Sequence, residues 1–169
     1  MRVWQLTLVV GMLLCAACGI GRDRPVDSRY LTVERAAEVD KEVRAFARSV
    51  AHDITQEGPS AWRRYFAESP GFFMAADGHL VFPSSASLTS GIPELVQSIR
   101  QIKLEWGGDV RVDPLAPDLA VMAAPYREMR TDAAGTRVDE TGYFTGVAEM
   151  RDGDWQFRDA HWSAAPPVK

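Results

Sequence analysis

Asp159 and His161, near the C-terminal end, are the sharpest candidates for chemistry in the sequence. Read as a strand, Trp155–Ser163 alternates: Trp155, Phe157, Asp159, His161 and Ser163 share one face, and Gln156, Arg158, Ala160 and Trp162 the other. The rings of Trp155 and Phe157 turn the first face toward a core, so Asp159 and His161 are expected to point inward. Same-face neighbours lie about 7 Å apart along a strand, close enough for both to reach one ligand. A carboxylate beside an imidazole stabilises its charged form and orients it as a general acid or base. The packing alternative is that His161 closes the end of the core and Asp159 meets an arginine such as Arg127.

Other chemistry is thin. His52, His79 and His161 are scattered, with no His-x-x-x-His or Glu-x-x-His spacing, so no metal site is expected. Neither a Gly-x-x-x-x-Gly-Lys loop nor a Gly-x-Ser-x-Gly elbow occurs, and no cofactor is expected. Ser84, Ser85, Ser87, Thr89 and Ser90 form a polar loop suited to connection and helix capping. Trp62, Tyr65, Phe66, Phe73, Phe82, Trp106 and Phe144 would line a cavity or fill a core, with core the default for most. Nineteen Lys and Arg against 23 Asp and Glu give a net charge of −4, without a basic run. Such a chain has no electrostatic footprint for a phosphate backbone, which argues against nucleic acid as a partner.

The elements that must position these residues follow from periodicity. Val33, Ala36, Ala37, Val43, Phe46, Ala47, Val50 and Ile54 recur at helical spacing over Thr32–Glu57, with Thr32 as N-cap. Gly58-Pro59 stops that helix and starts a shorter one through Trp62, Tyr65 and Phe66, ending before Pro70. Phe72–Ala76, Asp77-Gly78 and His79–Phe82 read as a hairpin on a tight turn. A third helix opens at Ser90-Gly91-Ile92-Pro93, with Pro93 in its first turn and Leu95, Val96, Ile99 and Ile102 on one side. Four strands follow: Lys103–Asp113 bulged at Gly107-Gly108, Asp118–Arg130, Arg137–Arg151 and Trp155–Ser163. Their short links make consecutive strands antiparallel neighbours. The order predicts an α+β domain over residues 32–163, with helices against one face of a curved antiparallel sheet, and an unstructured tail over 164–169.

The first 17 residues read differently. Met1-Arg2 is a short positive region, and the apolar stretch Leu6–Leu14 has about half the length a spanning helix needs. Cys15-Ala16-Ala17-Cys18-Gly19 resembles a bacterial lipobox, which makes 1–17 a signal peptide, Cys18 the lipidated residue and 18–31 a tether. Cys15 stands where a leucine is usual, so cleavage without a lipid is the alternative. Both cysteines lie in this segment, and the chain from Gly19 on can form no disulfide. The expected address is the bacterial cell envelope, with the domain outside the cytoplasm and the lipid as its sole membrane contact.

The element order, together with Gly142-Tyr143-Phe144-Thr145-Gly146 and Asp152-Gly153-Asp154-Trp155 through His161-Trp162-Ser163, is similar to the nuclear transport factor 2-like superfamily. Its SnoaL-like members often end in a comparable hairpin. The motif covers Gly142 to Ser163, and the element order Thr32 to Ser163. The resemblance implies a cone-shaped sheet with about three helices across its concave face. It also implies a second helix at the cone mouth, where Trp62 and Tyr65 would meet a ligand. Ketosteroid isomerase-like relatives use a carboxylate base in an apolar pocket and phenolic donors; Asp159 would be that base, with Tyr126 or Tyr143 as donor. No isomerase motif is present to carry that site over. The set expected to touch a ligand is Trp62, Tyr65, Phe73, Trp106, Tyr126 and Tyr143. The reading reached is a small-molecule-binding cone domain. An isomerase, dehydratase or cyclase using Asp159 and His161 is the first alternative, and a homodimeric interaction module paired through the sheet face the second.

Overall fold

The computed structural model describes residues 30–166, so the expected signal peptide, Cys18 and most of the expected tether lie outside the described residues. Helix α1 (Val33–Glu57) begins at Thr32, whose hydroxyl accepts from the Arg35 amide at 3.1 Å. It buries the stripe Val39, Val43, Phe46, Ala47, Val50 and Ile54. A 3₁₀ turn (Gly58–Ala61) leads into the single-turn helix α2 (Trp62–Tyr65). That helix is shorter than the spacing suggested, because Phe66 bridges to Phe157 and the Ala67 amide donates to the Phe157 carbonyl at 2.9 Å. None of the described helices is long and apolar enough to cross a membrane.

Strands β1 (Phe73–Ala76) and β2 (His79–Phe82) form the expected hairpin, with positive φ at Asp77 (48°) and Gly78 (82°). Helix α3 runs Ser85–Ser98, opening earlier than expected. Its start is a reciprocal capping box between Ser84 and Ser87, so the serine run caps the helix and Pro93 lies inside it rather than in the first turn. Ile99 and Ile102 consequently belong to β3 (Ile99–Trp106) instead of the helix. The chain then breaks at Gly107 and continues as β4 (Arg111–Ala116). Both strands pair with β5 (Leu119–Asp132), so the single bulged strand of the sequence reading is two strands sharing one neighbour. Strands β6 (Arg137–Arg151) and β7 (Asp154–Ala164) complete the sheet, and β7 takes in Ala164, the first residue of the expected tail.

The seven strands form one curved, unclosed sheet in the order β2-β1-β7-β6-β5-β3, with β4 also on β5. It is mixed rather than wholly antiparallel, because β1 runs parallel to β7. No short link joins those two strands, so their relative direction is set by packing alone. Along β7, Ala148 pairs with Phe157 but Val147 pairs with Asp159, which leaves Arg158 as an extra residue. This bulge resets the alternation. Phe157 faces the core before it, and Ala160 and Trp162 face the same interior after it. The centre of the core is aromatic: Phe157 meets Phe46 at 4.7 Å and Phe144 at 4.9 Å between ring centroids.

Candidate functional site

Beyond that core the concave face opens into a cavity of about 480 Å³. Its apolar wall comes from Trp62 and Phe66 at α2, Met74 and Phe82 of the hairpin, Leu88 and Leu95 of α3, and Trp162 of β7. Trp62 stacks on Phe66 at 5.2 Å, and Trp162 meets Trp62 and Tyr126 edge to face at 5.8 and 4.9 Å. The two tryptophans are thereby held as rigid walls of low rotamer freedom.

The polar end is built by β5 and β6. On β5 the inward positions run Ala120, Met122, Ala124, Tyr126, then Glu128, Arg130 and Asp132. One face thus passes from small apolar side chains to charged ones without changing phase. Glu140 of β6 lies directly opposite Glu128. The Tyr126 hydroxyl donates to Oε1 of Glu140 at 2.9 Å, and Nη1 of Arg130 donates to Oε1 of Glu128 at 2.6 Å. The second Arg130 nitrogen, Nη2, sits 3.6 Å from Oε2 of Glu140. Burial, reinforced by the Glu140 carboxylate, pushes the Tyr126 phenol well above its ordinary pKa, so it stays protonated as a donor. Burial likewise raises the Glu128 carboxyl, although Arg130 pulls the other way. For Arg130, burial works against the charge, but the hydrogen bond to Glu128 and both glutamates' charges outweigh it, and the guanidinium stays charged.

Gly142 makes this arrangement possible. It is the β6 partner of Tyr126, and a Cβ there would stand 2.6 Å from a carbon of the Tyr126 ring and collide with the Ser163 carbonyl. With no side chain in the way, the ring lies over β6 and its hydroxyl reaches Glu140, two residues along.

Of the six residues expected to touch a ligand, Trp62 and Tyr126 line this cavity, as do Phe66 and Phe82 of the wider aromatic set. Tyr65 points elsewhere: its hydroxyl donates to Asp53 at 2.5 Å, and burial with that hydrogen bond pushes its pKa up to about 12. Trp106 is a packing residue, its indole N–H donating to the Ala47 carbonyl at 2.7 Å while its ring lies on Trp162. Phe73 and Tyr143 are exposed on the sheet face away from the cavity. Asp159 and His161 are displaced by the Arg158 bulge. His161 is exposed and Asp159 half-buried, so the expectation that both point into the interior is corrected. Asp159 lies 3.9 Å from Arg158, and burial raises its carboxyl against that charge. Arg127, the packing partner suggested for Asp159, pairs with Asp139 instead. Among the described residues no group of three or more His, Cys, Asp or Glu is placed to hold a metal ion.

Glu128, Arg130 and Glu140 were not singled out from sequence. Their signal was the period-two continuation of the Ala120-Met122-Ala124-Tyr126 face, which carries the charges inward.

No family model and no curated protein matches the sequence. Solved structures do match the fold. A protein described as a candidate scytalone dehydratase from Novosphingobium aromaticivorans superposes with a TM-score of 0.68 at 9% identity, over 80% of this chain and 89% of that one. A hexachlorocyclohexane dehydrochlorinase of the LinA-type3 kind from Novosphingobium barchaimii gives 0.63 at 7% identity, over 80% and 92%. A nuclear transport factor 2-like superfamily protein from Salmonella enterica gives 0.62 at 13%, over 82% and 96%. The sheet and its helices therefore have the fold of the nuclear transport factor 2-like protein from Salmonella enterica and of the other two structures. At these identities the likeness is one of fold, and function has to be argued from the site.

Proposed function

We propose that this chain is a cell-envelope lipoprotein, lipidated on Cys18, whose cone domain binds a small amphipathic molecule. The observation that carries the binding reading is the cavity itself, an aromatic and aliphatic chamber with its charged groups gathered at one end. Ligand sites in proteins are commonly apolar pockets with a few convergent polar groups. Native mass spectrometry of the chain from Gly19 onward tests it. A co-purified molecule lost in Trp62→Ala supports the reading; a bare protein that also binds nothing from a library of amphiphiles overturns it. The same spectrum counts subunits and tests pairing through the outer face, where Phe73 and Tyr143 are exposed. The address has its own test: Cys18→Ser should move the protein from membranes to the soluble fraction.

A second reading is an acid–base enzyme acting in the same cavity. Glu128, a half-buried carboxyl whose pKa burial raises, and Tyr126, a protonated donor, favour it. Neighbours described as a dehydratase and a dehydrochlorinase make elimination the reaction class to try first. Solvent deuterium entering a carbon position of the co-purified ligand, and failing to enter with Glu128→Gln, would favour catalysis over binding alone.

A further inference from the structure

We propose that the cavity selects a cationic amphiphile, seating a protonated primary or secondary amine on the oxygens of Glu128 and Glu140 that Arg130 does not hydrogen-bond, with its apolar body against Trp62, Phe66 and Trp162. This rests on the binding reading above and names the ligand class. The side chains lining the cavity include the carboxylates of Asp77, Glu128, Asp132 and Glu140, and one cation, Arg130. Asp132 is occupied by the Thr136 amide at 2.8 Å and Asp77 by the Ala164 amide at 2.7 Å. Even with those two set aside, Glu128 and Glu140 share a single guanidinium. With both glutamates ionised, the polar end keeps an excess of one negative charge among half-buried side chains, where a charge is less screened than in open water.

The distribution of donors and acceptors points the same way. Arg130 is held between both glutamates, so an anionic ligand would have to approach it past two carboxylates. The Tyr126 hydroxyl is already committed as a donor to Glu140. Beside the remaining N–H groups of Arg130, which already face the two glutamates, this end offers acceptor oxygens, among them Oε2 of Glu128, because Arg130 engages Oε1. Acceptors with excess negative charge complement an N–H-bearing cation. The walls agree, since a cation is also attracted to the faces of tryptophan rings, and Trp62 and Trp162 border the same space.

Isothermal titration of the purified protein with tryptamine, tryptophol and indole-3-acetate tests the proposal, because the three share an indole body and differ in charge. Tryptamine is expected to bind about tenfold or more tighter than tryptophol, as a charge-assisted hydrogen bond would give, with indole-3-acetate weakest. In Glu128→Gln the preference for tryptamine should fall to about threefold or less while tryptophol is unchanged. Glu140→Gln provides the same comparison if Glu128→Gln does not fold, and magnetisation transfer from bound tryptamine to the Trp62 indole reports the seat in the unaltered protein. Equal or tighter binding of tryptophol or indole-3-acetate overturns the cationic reading and leaves the binding reading standing. A tryptamine preference that survives both glutamate substitutions also overturns it. Binding of none of the three overturns both.

Discussion

The inward face of β5 and β6 is one continuous surface with two fates. Over Ala120, Met122, Ala124, Phe144 and Ala148 it is sealed, because α1 lies across β3, β4 and the start of β5 and drives Phe46 and its neighbours into it. Over Tyr126, Glu128, Arg130 and Glu140 the same alternation continues, but the cover changes to the short α2 and to α3, which packs on β2, β3 and the 3₁₀ turn. Those elements stand off the strands and leave a chamber. Side chains under α1 are small or apolar with no room for water; side chains beyond it include charges that pair with each other and stay partly wet. Strand geometry is common to both halves, so the helix overhead decides which half becomes core and which becomes site.

If this division is right, substitutions should separate into stability effects at the sealed half and ligand effects at the open half. The largest loss is expected from Phe157→Ala, where a fully buried ring touches Phe46, Phe66 and Phe144. Denaturant unfolding should register about 3–5 kcal/mol. Gly142→Ala comes next, at about 1–3 kcal/mol, because the new methyl meets both the Tyr126 ring and backbone. It should also weaken ligand binding by moving the Tyr126 hydroxyl from Glu140, and a variant that destabilises without changing affinity would blur the division at its boundary.

Glu128→Gln sharpens the contrast through pH. Burial, chiefly, holds the Glu128 carboxyl above its unfolded value, so the folded state keeps that proton more tightly. The associated stability is present below the unfolded carboxyl's range and is lost as pH rises through the folded value. A glutamine cannot ionise and escapes the loss. The variant should therefore gain on the parent protein as pH rises from acid to neutral, by about 1 kcal/mol or less, in melting curves recorded across that range. The smallest effect belongs to His161→Ala, on the exposed side of β7: under about 0.5 kcal/mol, with ligand binding unchanged. A marked loss of affinity there would return His161 to the site and undo the assignment made from the bulge.

Much of the fold was legible from local pattern. The Thr32 cap, the Asp77-Gly78 turn, the late antiparallel strands and the α1 stripe from Val43 to Ile54 are each fixed by residues close in sequence and form as expected. Val33 and Ala37, expected on the stripe, are instead exposed, and Val39 is buried in it. Asp152-Gly153, at φ 53° and 95°, turns β6 into β7 in the same way. Two of the departures, at β7 and β1, share a cause in strand register, whereas α3 opens early on the local Ser84–Ser87 capping box. Period two along β7 was carried past Arg158, and a single inserted residue reversed every face beyond it, sending His161 out and Trp162 in. Nothing in Gln156-Phe157-Arg158-Asp159 marks a bulge, since the extra residue is defined only by its partners on β6. The same holds for β1, whose parallel pairing with β7 joins segments far apart in the sequence.

What the sequence determined by itself is most of the elements, the alternation that keeps Tyr126, Glu128 and Arg130 on one face of a strand, and the absence of residues spaced for a phosphate loop or a nucleophile elbow. These follow from backbone geometry and side-chain type within a few residues. Only the tertiary structure decided that Glu140 faces Glu128, that Gly142 makes room for Tyr126, and that the cavity lies beyond the reach of α1 rather than around Asp159. Each of those depends on register between strands and on where a helix stops covering a sheet, and neither quantity is encoded at any one position of the chain.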